Sequence, residues 1–174
     1  FYHIFVLLAF AFSLYLLYVF TQKITRDSGK SLLAVFFYGF SVTNFTRLYF
    51  LSAFQEIALV VFVLLSLITF LNKTRQNQLF SLVFFVLALL CKETAVVLPL
   101  IILALNWWQG KISPRRLLPY FAVLFLYLSL RFLVFPHPGG DSYNWDFSPF
   151  RAANTFAWYT LWSFGAPEFL VDYI

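Results

Sequence analysis

Long apolar runs broken by short polar stretches organise this chain. The runs cover 1–20, 31–45, 57–71, 79–91, 94–108 and 117–135. A helix rises about 1.5 Å per residue, and about 20 apolar residues cross a hydrocarbon core of roughly 30 Å. The pattern therefore predicts an all-α protein, a polytopic transmembrane helical bundle with about six spans over 1–135. The stretch 136–150 holds "PHPGGDSYNWDFSPF", dense in turn residues, and reads as an extracytoplasmic loop. Residues 151–174 read as a further membrane or interfacial helix, with Trp158 and Trp162 one turn apart. The chain starts at Phe1 and holds no Met, so it reads as an internal fragment cut at both ends.

Numbering the connections alternately separates the charges. The connections 21–30, 72–78 and 109–116 carry Lys23, Arg26, Lys30, Lys73, Arg75, Lys111, Arg115 and Arg116 against one acid, Asp27. The alternate connections carry Arg47, Glu56, Lys92, Glu93, Asp141 and Asp146. Short basic loops stay in the cytoplasm, so the first set faces that side and the second set faces out. Trp107 and Trp108 at the inner end fit an interfacial aromatic belt.

Composition agrees. The chain is 62% hydrophobic, 23% aromatic and 11% charged, with a mean hydropathy of +0.83. A soluble domain is roughly 45–50% apolar and about 25% charged, so an integral membrane protein is expected, with membrane lipid around it. The net charge of +5 is spread over loops and forms no continuous patch, so no nucleic-acid partner is indicated. The single cysteine, Cys91, excludes an internal disulfide and reads as a small buried hydrophobe. There is no CxxC, HExxH or GxxxxGK[ST], so soluble zinc and nucleotide chemistry have no support.

Against that apolar background "LLCKETAVVLPL", residues 89–100, places Lys92 and Glu93 between two runs of only about 20 Å each. The pair is expected near the outer lipid boundary, where a charge is costly unless paired or wetted. Such groups are candidate site residues; a structural ion pair, or a Lys92 that snorkels, is the alternative. Arg47, Glu56 and Arg131 approach the same face, Arg47 and Glu56 through "TRLYFLSAFQE", which suggests a short interfacial helix. Basic groups there suit a phosphate, and carboxylates suit a metal ion or a sugar hydroxyl. Asn44-Phe45-Thr46 fits a glycosylation pattern, too close to the membrane to be a good acceptor.

These residues carry a resemblance. "AVFFYGFSVTNFTRLYFLSAFQEIALVVFVLLSLITFL", "LALLCKETAVVLPLIILALNWW" and "RRLLPYFAVLFLYLSLRFLVF" resemble the membrane domain of GT-C-type glycosyltransferases, in the protein O-mannosyltransferase-like and tetratricopeptide-linked branches. The resemblance spans about 1–135 and implies a bacterial inner membrane as the protein's place. Its most specific elements are Cys91-Lys92-Glu93-Thr94 through Pro99, and Ser52 with Gln55 and Glu56. It implies transfer of a sugar from a polyprenyl-phosphate donor to a protein, lipid or glycan acceptor on the extracytoplasmic face. Glu56 is then the catalytic candidate, near acceptor or metal. Lys92, Glu93, Arg47, Arg131 and Gln55 are the substrate-binding candidates, Lys92 at the donor phosphate with Glu93 as its orienting partner or as a supporting group behind the contact residues. A divalent metal is compatible; no ligand set for it is assigned. The branch's H-P-x-H-x-E pattern is missing at Ser41–Thr46, and the first outer loop with its catalytic acid would precede Phe1. A secondary transporter or a non-catalytic membrane scaffold is the alternative.

Overall fold

The structure is a computed structural model that describes residues 2–41, 44, 48–50, 53–72, 74–110, 113–134 and 148–163. Among them the regular structure is helical throughout. Helix α1 spans Tyr2–Thr25, α2 Ser28–Gly39, α3 Phe54–Leu71, α4 Arg75–Cys91, α5 Leu98–Trp108, α6 Pro114–Val134 and α7 Pro149–Ser163; a 3-10 turn, Glu93–Val97, precedes α5.

Among the described residues three helices are long and apolar enough to cross a bilayer: α1, α3 and α6. They point to membrane association. The other runs are shorter than a span. Run 31–45 yields α2, which ends at Gly39, and runs 79–91 and 94–108 yield the apolar helices on either side of Lys92.

Local chemistry sets the ends. Arg26 leaves α1 at φ 55, its N–H donating to the Gln22 carbonyl. Asp27 caps α2, accepting from Gly29 N at 2.8 Å and Lys30 N at 3.2 Å. The Thr74 hydroxyl caps α4 by accepting from Asn77 N. Proline opens α6 at Pro114 and lies in the first turn of α5 at Pro99, where a missing N–H costs little.

From α1 to α6 successive helices reverse direction. At one end Lys23 Nζ donates to Asn72 Oδ1 at 2.9 Å, Gln78 Nε2 to the Arg116 carbonyl at 3.2 Å, and Arg116 to the Phe70 carbonyl at 2.8 Å. The Arg116 guanidinium also lies over the Phe70 ring, 4.6 Å from its centroid. The opposite end holds Glu56, Lys92, Glu93 and Arg131.

The main core joins α3, α4, α5 and α6 through Leu67, Phe70, Phe85, Leu98, Ile102 and Tyr120. A smaller cluster seats Val6 and Phe10 of α1 against Ile57 of α3. The core is partly polar. Ser66 Oγ donates to the Ser81 carbonyl at 2.8 Å, Ser81 Oγ to the Ser66 carbonyl at 2.7 Å, and Tyr120 Oη to Ser81 Oγ at 2.6 Å. Small serines let α3 and α4 approach closely, and their hydroxyls satisfy one another in an apolar setting. The outward faces, by contrast, expose Leu7, Leu8, Phe37, Leu90, Phe125 and Leu133. That distribution suits lipid-facing helices better than water-facing ones.

Candidate functional site

The candidate site is the end of the bundle where α3 begins and α4 stops. Phe54 starts α3, packing its ring 5.2 Å from that of Phe5, and Glu56 falls in the helix's first turn. A carboxylate there is favoured by the N-terminal end of the helix dipole. Glu56 is thus inside the long helix, within its first turn.

Lys92 is the break between α4 and the 3-10 turn, with extended backbone at φ −159, ψ 140. Its Nζ lies 2.6 Å from Glu56 Oε1, and the two side chains are 35% and 28% exposed. Glu93 does not pair with Lys92. Its Oε2 lies 3.7 Å from Arg131 Nη2, and these side chains are 67% and 45% exposed. The expectation that Glu93 orients Lys92 is therefore corrected. Successive side chains of an extended segment point to opposite sides, so Lys92 turns to α3 and Glu93 toward α6. The first contact is a short charge-assisted hydrogen bond; the second is a loose, exposed ion pair.

The structure brings Glu56, Lys92, Glu93 and Arg131 to one end, from α3, the junction after α4, the 3-10 turn and α6. Gln55 is next to Glu56 but exposed. Arg47 and Ser52 lie outside the described residues, as do Asp141 and Asp146. Cys91 is partly exposed at the end of α4, where the reading of a buried hydrophobe does not hold. Asn44 is buried and its side-chain amide donates to the Tyr38 carbonyl, which argues against that asparagine as a glycan acceptor. Among the described residues no three His, Cys, Asp or Glu side chains gather where they could hold a metal ion.

Chemically, the lysine ammonium has three donors and the bond to Glu56 uses one. The others can receive phosphate oxygens without breaking the pair. Arg131 offers a planar fork whose contact with Glu93 is too long to be a hydrogen bond.

Sequence reasoning did not find the Ser66–Ser81–Tyr120 network or the Arg116 tie to Phe70. Serines within apolar runs were the available signal for the network. It also missed a cleft of about 540 Å³ at the opposite, basic end, bordered by Lys23, Arg26 and Trp108.

Compared with known protein families, with curated proteins and with solved structures, the chain matches none.

Proposed function

We propose that the chain serves a membrane glycosyltransferase of the GT-C type, which moves a sugar from a polyprenyl-phosphate donor to an acceptor on the extracytoplasmic face. The observation that carries this reading is the gathering of Lys92, Glu56, Glu93 and Arg131 from separate elements at one end of the bundle. That end is opposite the basic loops, so the positive-inside rule assigns it to the outer side. Lys92 and Arg131 hold the donor phosphate. Glu56, beside Lys92, receives the acceptor proton or holds a divalent metal, and Gln55 stands at the edge of the same turn. Arg47 is a further phosphate contact in this reading.

A purely structural pair in a membrane scaffold is the second reading. The 2.6 Å closure of Lys92 on Glu56 favours it, because an ion pair already made needs no ligand. One experiment separates the two. Sugar transfer from a polyprenyl-phosphate donor is measured in membranes carrying the natural protein or its Lys92→Ala variant at matched expression. The enzyme reading expects transfer by the wild type and a loss of about a hundredfold or more in the variant, roughly 2.7 kcal/mol of transition-state stabilisation. A wild type that transfers equally well without Lys92 makes the pair structural. No transfer by either protein, across the donors tried, favours the scaffold or transporter readings.

A further inference from the structure

The basic end of the bundle holds a cleft of its own. The C-terminal ends of α1, α3 and α5 converge there around the cleft of about 540 Å³, with Lys23, Arg26, Asn72, Leu105, Trp108 and Gln109 on its walls. Small-molecule sites are roughly 300–1,000 Å³, so the space suits a headgroup. Three helix C-termini bring partial negative charge to the place, which by itself repels an anion. The chain opposes it with two cations. Lys23 is held in place by its hydrogen bond to Asn72 Oδ1. Arg26 makes no side-chain hydrogen bond or ion pair with another described residue, and its side chain is exposed. The neighbouring acid is already satisfied: the Asp27 carboxylate accepts from Gly29 and Lys30 N–H groups and lies 3.5 Å from Lys30 Nζ.

The backbone at Arg26 adds a second observation. Its φ of 55 is the left-handed conformation that usually falls to glycine after a helix, and the same rim uses Gly110 at φ 65 to close α5. An arginine there costs conformational energy that a glycine would not. Strain retained at such a position points to a use for the side chain. The rest of the surroundings is interfacial: Trp108, 83% exposed, and Leu105 line the wall.

We propose that this cleft seats the phosphate headgroup of an anionic phospholipid from the adjoining leaflet. Lys23 and Arg26 hold the phosphate, Trp108 sits at the level of the glycerol, and Leu105 meets the first acyl carbons. The assignment rests on the membrane placement of α1 and α3 and is independent of the glycosyl-transfer reading.

The test follows thermal unfolding of the full chain in neutral detergent, titrated with phosphatidylglycerol, phosphatidylcholine or inorganic phosphate. Phosphatidylglycerol raises Tm in the wild type, and the other two additives do not. Arg26→Gly unfolds no earlier than wild type without lipid, because glycine relieves the backbone, yet its apparent lipid affinity falls about fivefold, the effect of one basic charge at a membrane surface. Gln109→Lys tightens the lipid, a gain that misfolding cannot produce. Lys30→Gln, which removes the same charge outside the cleft, leaves the affinity unchanged. The proposal is overturned if phosphatidylglycerol gives no shift, if Lys30→Gln weakens it as much as Arg26→Gly, or if inorganic phosphate matches the lipid.

Discussion

Replacing Lys92 and Glu56 singly and together measures what their contact contributes to the fold. The ammonium and carboxylate are 2.6 Å apart, and their side chains are 35% and 28% exposed. Exposed pairs contribute about 0–1 kcal/mol, whereas breaking a fully buried pair costs about 3–5 kcal/mol. The geometry lies between these limits. We expect Lys92→Met and Glu56→Gln each to cost about 1–3 kcal/mol, since each leaves a partly covered charge without its counter-charge. The double variant leaves neither charge behind, so it should cost less than the sum, with a coupling of about 1–2 kcal/mol. Reversible unfolding in mixed micelles reads all four proteins, using the fluorescence of the chain's 5 tryptophans. Arg131→Gln with Glu93→Gln is the comparator. That pair is 3.7 Å apart and its side chains are 45% and 67% exposed, so its coupling should stay below about 0.5 kcal/mol. Simple additivity of Lys92→Met and Glu56→Gln, within about 0.3 kcal/mol, would refute the reasoning. So would a stronger coupling in the Arg131–Glu93 pair than in the Lys92–Glu56 pair.

Three further outcomes are expected. Tyr120→Phe removes the 2.6 Å bond to Ser81 and should cost about 0.5–1.5 kcal/mol in the same unfolding assay; the low end is expected because Ser81 keeps its bond to the Ser66 carbonyl. Phe85→Ala empties a fully buried site between α3, α4 and α6, and should cost about 3–5 kcal/mol or prevent accumulation in membranes. Asp27 gives the start of α2 a pH dependence. Backbone N–H groups of Lys30, then Gly29, hold its carboxyl below the usual aspartate range. A lowered folded pKa means the cap's stabilisation is complete above the ordinary value of about 3.9 and is lost as pH falls through the lower folded one. Protection of the Gly29 and Lys30 amides, taken relative to the intrinsic exchange rate at each pH, should therefore fall only in acid, and Asp27→Asn should abolish that dependence.

Much of this architecture was legible in residue order. The six apolar runs each contain a helix, and the alternation of basic and acidic connections matches the two ends that the side-chain contacts define. The interruption at Lys92-Glu93 is a real break in helical backbone. What was not legible is facing. A helix that is apolar nearly all round carries no stripe to say which side meets a neighbour. That is why the sequence neighbour Glu93 was expected beside Lys92, when Glu56, distant in sequence, is the partner. The same lack of a stripe hid the closure of Ser66 on Ser81 and Tyr120. Span lengths were also misjudged: α2 stops at Gly39, where the apolar run continues to 45.

Composition and the order of runs and charges were thus sufficient for helices, for membrane-like surfaces and for grouping Glu56, Lys92, Glu93 and Arg131 on one side. These properties follow from transfer energies that each segment carries by itself. Pairing, burial and the cleft between Lys23, Arg26 and Trp108 depended on the tertiary structure. They arise where three or more helices meet, and the rotation and depth of each helix are set by how its side chains interlock with the others.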